Sequence, residues 1–199
     1  MYMKDLWNQR YKEQDYVYGK EPNAFFKEQI EKLEKGEILF PGDGDGRNSI
    51  YAAKLGWKTY AIDYSEEAIN KNKRNAENEN VIVNHQILDM SKNEFGEDFY
   101  DCIVSIFVHL DEDEKKIYHS NIYKALKPGG VLILQAYDHD QLKYNSGGPK
   151  DISLLYSLEE IVTDFQDMDF IVLAKEVIRL KEGKLHDGEA SVINFVGKK

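Results

Sequence analysis

Five short apolar runs recur along the first two thirds of the chain: EILF (37–40), KTYAID (58–63), VIVNHQI (81–87), DCIVSIF (101–107) and VLILQAY (131–137). Helix-compatible stretches lie between most of them. Ser65 can N-cap one such helix, with Glu66 and Glu67 in its first turn, and Asp111 can cap another running toward Leu126 and ending at Pro128-Gly129-Gly130. Leu154, Leu158, Ile161, Val162 and Phe165 fall on one helical stripe. Alternating strand and helix implies a parallel sheet covered on both faces, with a ligand crevice at the carboxyl ends of the strands. The tail differs: DFIVLAKEVIRL (169–180) and ASVINFVGKK (190–199), joined by the polar KEGKLHDGE, form a hairpin at a sheet edge. The expected fold is α/β, Rossmann-like and doubly wound. It has a mostly parallel seven-stranded sheet, a C-terminal antiparallel hairpin edge and an N-terminal helical segment.

Length fits one domain, 1–199, divided into a helical N-terminal segment (1–36, two helices split at YVYGKEPN) and a core (37–199). A net charge of −10 repels phosphate backbones, so nucleic acid is not an expected partner. No apolar stretch approaches the ~20 residues of a membrane helix. The start, MYMKDLWNQR, lacks a signal-peptide core, and Cys102 is the only cysteine, so a cytoplasmic location is expected.

The first apolar run ends at Pro41, and glycines follow at every second position: Gly42, Gly44 and Gly46. Such a loop between strand and helix holds a ligand against bare backbone. A P-loop needs Gly-Lys-Ser/Thr, which is absent, and the dinucleotide pattern spaces its last glycines differently. Asp43 and Asp45 would also oppose a pyrophosphate. S-adenosylmethionine, cationic at sulfur and free of phosphate, suits the loop better. Asp63 ends the second strand, where a carboxylate can accept both ribose hydroxyls, with Tyr64 beside the adenine. Asp89 follows the third strand, placed for the adenine amino group, and Met90 for packing on the base. Ser105, Phe107 and His109 end the fourth strand, near the reacting carbon.

Through these motifs the sequence resembles the class I S-adenosylmethionine-dependent methyltransferases. Gly42-x-Gly44-x-Gly46 looks like the first motif, Asp63 like the ribose acid, Asp89-Met90 like the adenine acid, and LKPGG (126–130) like the turn before the fifth strand. More narrowly it resembles the tellurite-resistance and thiopurine type, through RYKEQDYVYGKEPNAF (10–25), GDGDGRNSIYAAKLG (42–56), VSIFVHL (104–110), LQAYDHDQLKYNSGGPKDISLLYSLEEI (134–161) and EGKLHDG (182–188). That implies a small-molecule methyl acceptor: a chalcogen oxyanion, a thiol or a heterocycle. The family usually carries an acidic residue two positions before the first loop glycine. Here that residue is Phe40. Asp43, or Arg10 or Tyr18 from the N-terminal segment, is expected to take over part of its role, and Asn48 completes the cofactor set.

In-line methyl transfer needs alignment more than acid–base help. His109 and His186 are the candidates for proton handling, and Arg47 and Tyr137 for holding a polar acceptor. A nicotinamide-dependent oxidoreductase and a cofactor-binding module without catalysis stay open as alternatives. The aromatics Trp7, Tyr11, Tyr16 and Tyr18 fit either a core or a lid over the cofactor. His119 and His139 read as surface residues, Cys102 as an inert buried thiol, and DEDEKK (111–116) as a solvated helix start. No ordered spacing suggests a metal.

Overall fold

The computed structural model describes residues 3–13, 18–183 and 185–199. Tyr16 lies outside them. Strands β1 (Glu37–Pro41), β2 (Lys58–Asp63), β3 (Val83–Ile87), β4 (Tyr100–Ile106), β5 (Leu126–Tyr137), β6 (Asp169–Lys181) and β7 (Asp187–Lys198) form one sheet in the order β3-β2-β1-β4-β5-β7-β6. The first five run parallel, while β7 lies antiparallel to both β5 and β6. The order reverses at β1, and the β1–β4 junction is the switch point where the crevice opens.

Alternation along each strand sorts the core into two layers. Leu39, Ile103, Leu132 and Phe195 face one side, under α5 (Glu112–Ala125) and α6 (Leu158–Asp164). Ile38, Phe40, Cys102, Ile133 and Val196 face the other, under α2 (Ala24–Ile30) and α3 (Arg47–Lys54). The buried Cys102 thiol has its pKa raised by burial, which keeps it protonated and inert. Two helices do precede β1: α1 (Met3–Glu13) and α2. The expected caps also form. Ser65 accepts from the Ala68 amide at 3.1 Å to start α4 (Glu66–Asn78), and Asp111 and Glu114 make a capping box on α5.

Three local expectations need correction. The stripe from Leu154 to Phe165 is not one helix: Ile152–Leu154 is a 3-10 turn, and Ser157 caps the short α6 that follows. Only Ile161 and Phe165 of that stripe are fully buried, and Val162 is exposed. His119 is not a surface residue. It is buried on α5, where its Nδ1 meets Asp164 Oδ2 at 2.6 Å. The solvated helix start holds an exception in Lys115, which is buried and reaches the Leu155 carbonyl (2.8 Å) and Glu160 across the α5–α6 contact.

Candidate active site

The carboxyl ends of β1, β2 and β4 open on a cavity of about 560 Å³, inside the range of about 300–1,000 Å³ typical of small-molecule sites. The glycine loop is its floor. Gly42, Gly44 and Gly46 have φ of +68°, +65° and +93°, a region that costs an L side chain about 1 kcal/mol or more. Space forbids side chains as well: a Cβ on Gly44 would strike the Tyr11 hydroxyl, and one on Gly46 the Asn72 side chain.

The backbone donors of the three glycines are spent inside the protein. Gly42 N–H donates to Ile62 O (2.8 Å), Gly44 N–H to Asp63 Oδ2 (3.1 Å) and Gly46 N–H to Asp43 O (3.4 Å). A phosphate would therefore meet carboxylates rather than free amides. Asp63 lines the cavity and accepts the Ser65 amide at 2.8 Å through its other oxygen. Burial pushes its pKa up to about 6, against the pull of those amide donors. Asp43 accepts from Asn72 Nδ2 at 2.7 Å, and burial, aided by Asp45, pushes its pKa up to about 7 despite donors from Ser49 and Asn72. Two buried carboxylates with raised pKa values are a site waiting for positive charge.

Across the cavity, Asp89 Oδ1 accepts the Ser91 hydroxyl (2.7 Å) and Oδ2 accepts Lys92 (2.9 Å). One acceptor position on Oδ2 is left for a ligand. Tyr64, Met90 and Val108 line the slot between Asp63 and Asp89, and Gly42 lies so close to Met90 and Val108 that any side chain there would fill it. A flat base flanked by acceptors, a ribose and a cation fit these groups.

The other end is aromatic. Phe107 holds φ +54°, a left-handed conformation for a bulky residue. It is fixed by its amide bond to Gln135 O (2.8 Å) and by stacking on Tyr137 at 4.4 Å. Tyr18 and His186 have ring centroids 4.5 Å apart. Burial lowers the pKa of His109 to about 3 and pushes that of His186 below its ordinary value, so both rings are neutral at pH 7. Arg47 opens α3 and is spent on Glu182 (2.9 Å) and the Tyr18 carbonyl (3.0 Å).

Of the sequence-derived candidates, Tyr18, Gly42, Asp43, Arg47, Asn48, Asp63, Tyr64, Asp89, Met90, Phe107, His109 and His186 line this cavity. Gly44 and Gly46 lie just beneath it. Three others do not reach it. Arg10 contacts it through Tyr18, donating to the hydroxyl at 2.8 Å, and through the Trp7 ring, 4.6 Å from its guanidinium. Ser105 stands behind the wall, accepting from Tyr118 (2.9 Å), and Tyr137 is fully buried behind Phe107. Phe40 points away from the cavity, edge-on to Phe26 at 5.4 Å. Sequence reasoning missed Glu182 and Asn23. Asn23 Nδ2 bonds Glu182 Oε1 (3.0 Å) and Gln135 Oε1 (2.7 Å) from far along the chain.

A sheet of this order, with a glycine loop after β1 and acids at or just past the ends of β2 and β3, is a Rossmann-like α/β fold shared with solved methyltransferase structures. Residues 38–130 match the family described as methyltransferase domain. The chain is similar to the probable S-adenosyl-L-methionine-dependent methyltransferase TehB of Haemophilus influenzae, 27% identical over 138 residues, covering 68% of this chain and 46% of TehB. The TehB crystal structure superposes with a TM-score of 0.76 at 19% identity, covering 98% of this chain and 66% of that one. The ribosomal protein L11 methyltransferase of Listeria welshimeri is 32% identical over 123 residues, covering 60% of this chain and 38% of that protein. A structure from work on the conversion of a disulfide bond into a thioacetal group during echinomycin biosynthesis gives a TM-score of 0.78 at 15% identity, covering all of this chain and 92% of that one. The chain thus spans less than half the length of these curated relatives.

Proposed function

We propose that this protein transfers the methyl group of S-adenosylmethionine to a small, uncharged, soft nucleophile such as a thiol or a sulfur-bearing heterocycle. One observation carries the choice of acceptor. Both basic side chains lining the cavity are ion-paired, Arg47 with Glu182 and Lys92 with Asp89 (each 2.9 Å), while Asp43, Asp45, Asp63, Asp89 and Glu114 line it too. An oxyanion entering there meets no uncommitted cation among the described lining residues. A neutral polarisable group meets aromatic walls.

S-adenosylmethionine, when bound, supplies an electrophilic methyl on a positively charged sulfur. In this reading Asp63 accepts the ribose hydroxyls, and Asp89 and Met90 take the adenine. Asp43 faces the cationic end, and Asn48 lies beside it. Trp7, Tyr11 and Tyr18 roof the cavity as a lid, with Arg10 steadying Tyr18. Phe107 and Tyr18 keep water out. His186 takes the proton that the acceptor loses on methylation, and His109 orients the acceptor as a neutral ring.

Calorimetric titration with the cofactor, followed by mass spectrometry of a panel of alkyl thiols, heteroaromatic thiols, selenite and tellurite, tests this. Cofactor binding with methylated thiols is expected. No binding at millimolar cofactor overturns the whole reading. Methylation confined to the oxyanions overturns the acceptor class.

A further inference from the structure

We infer that Glu182, in the turn between β6 and β7, is a positioning residue that fixes the tautomer of His186 and couples it to the cofactor loop through Arg47. This rests on the methyltransferase reading above.

The connection between the two strands is polar, and of its residues only His186 had an assigned role. In the structure its two ends turn inward. His186 is buried and the Glu182 side chain is 12% exposed, and the turn closes on itself through the Glu182 N–H to His186 O bond (2.8 Å). The Glu182 carboxylate is held on every side. Oε1 accepts from Asn23 Nδ2 (3.0 Å), and Oε2 accepts from Arg47 Nη2 (2.9 Å) and lies 3.4 Å from His186 Nδ1. Burial alone would raise its pKa, but His186 and Arg47 outweigh burial and hold it below the usual range. Glu182 is therefore an anion, and an anion can only accept. Nδ1 of His186 must then carry the hydrogen, and Nε2 of this cavity-lining ring holds the free lone pair.

The geometry thus leaves one nitrogen to receive a proton. When an N–H or S–H acceptor is methylated, the bond from acceptor to carbon forms and the carbon–sulfonium bond breaks, its electron pair passing to sulfur. The acceptor's proton moves to Nε2. The imidazolium so formed sits against the Glu182 carboxylate, which stabilises it as an oriented counter-charge. The other groups facing His186 are Arg47 on α3 and Arg10 on α1, which oppose protonation, together with Tyr18, His109 and the buried Tyr137. Glu182 is the only carboxylate contacting His186 among the described residues.

Arg47 extends the linkage. It is the first residue of the helix that leaves the glycine loop, so the same guanidinium touches the turn that carries His186 and the segment that carries Tyr18. Behind them, Asn23 joins Gln135, and Gln135 joins Asn194 (2.7 Å), tying the arrangement across β5 and β7.

The test is a nitrogen-15 NMR titration of the histidine side chains in the full chain, assigned with His186→Gln. Wild type is expected to show His186 protonated at Nδ1. Glu182→Gln should lower its titration midpoint by about one pH unit, the smaller end of the effect of an adjacent opposite charge, and scramble the tautomer. Glu182→Asp should restore part of the shift. Circular dichroism and cofactor titration accompany each variant. An Nε2-protonated His186 in wild type, or a midpoint unmoved in a folded Glu182→Gln, overturns the assignment. If Glu182→Gln does not fold, the wild-type tautomer alone decides. Absence of cofactor binding by wild type would instead refute the methyltransferase reading and leave the NMR result standing.

Discussion

Replacing Asp43 with Asn should make the unliganded protein more stable and the cofactor-bound protein less so. The pKa of the Asp43 carboxyl moves from 3.8 to about 7 because it is buried, and Asp45 adds to the shift. A shift of about three units is worth about 4 kcal/mol at 1.36 kcal/mol per unit. The sign follows from linkage. The folded state binds this proton more tightly than the unfolded chain, so the term opposes folding fully above pH 7 and fades as pH falls toward 4. Asn removes the charge but leaves its own amide needing an acceptor, which trims the gain to about 1–3 kcal/mol. At about 2–4 °C per kcal/mol for a chain of this length, the ligand-free melting temperature at pH 8 should rise by several degrees. The gain should shrink at pH 5. In the same melts, the stabilisation given by S-adenosylmethionine should fall in the variant by the equivalent of about tenfold in affinity, about 1.4 kcal/mol. The stabilisation given by S-adenosylhomocysteine, whose sulfur is neutral, should fall less. A ligand-free variant that melts lower than wild type at pH 8, or equal losses for the two ligands, would refute the reasoning.

Wild-type affinity for S-adenosylmethionine should weaken as pH drops through the Asp43 and Asp63 values of about 7 and 6, by up to about tenfold per unit and group. Calorimetry from pH 8 to 5.5 reads this directly, and a flat profile would mean the cation does not face these carboxylates. Arg47→Met strands Glu182, whose side chain is 12% exposed, and should cost about 3–5 kcal/mol in chemical denaturation, with Arg47→Met/Glu182→Leu recovering most of it. Lys115→Met removes the donor to the Leu155 carbonyl and to Glu160. It should cost about 1–3 kcal/mol while leaving cofactor titrations unchanged.

The sheet and the strand-end residues that line the cavity were legible because they are local. The central parallel strands β1 and β4 are buried on both faces and read as apolar runs, and the residues at the strand ends face the crevice whatever lies elsewhere. Gly42, Asp63 and Asp89 therefore announce themselves one strand at a time. The acceptor half was not legible in the same way. Glu182 meets Arg47 across 135 residues and Asn23 across 159, and nothing in a polar connection between two strands marks one carboxylate as buried. Tyr137 failed for a related reason. It does end β5, but Phe107 turns left-handed and lies over it, so the strand end that sequence places at the crevice is covered. Lys115 and His119 misled because a charged helix start looks solvated until a second helix packs on it.

Phe40 shows how the two halves meet. An acid at this position is the family's habit, yet here the side chain faces the α2–α3 layer, 1% exposed and edge-on to Phe26. Burying it contributes about 1.5–3 kcal/mol. That contact seats α2, and α2 begins at Asn23, which caps it by accepting the Phe26 amide (3.0 Å) while its own amide N–H donates to Asn48 Oδ1 (2.9 Å) and its side chain holds Glu182. The apolar residue thus anchors the helix whose N-cap holds Glu182. Restoring the acid by Phe40→Asp should not improve the site. It would place a carboxylate among Ile38, Cys102 and Phe26 with no cation in that cluster, at a cost of several kcal/mol. The expected outcome is a melting temperature lower by at least about 5 °C, with weaker cofactor binding as Asn23 and Glu182 lose register. A variant that melts like wild type and binds S-adenosylmethionine more tightly would show that the position serves the cofactor after all.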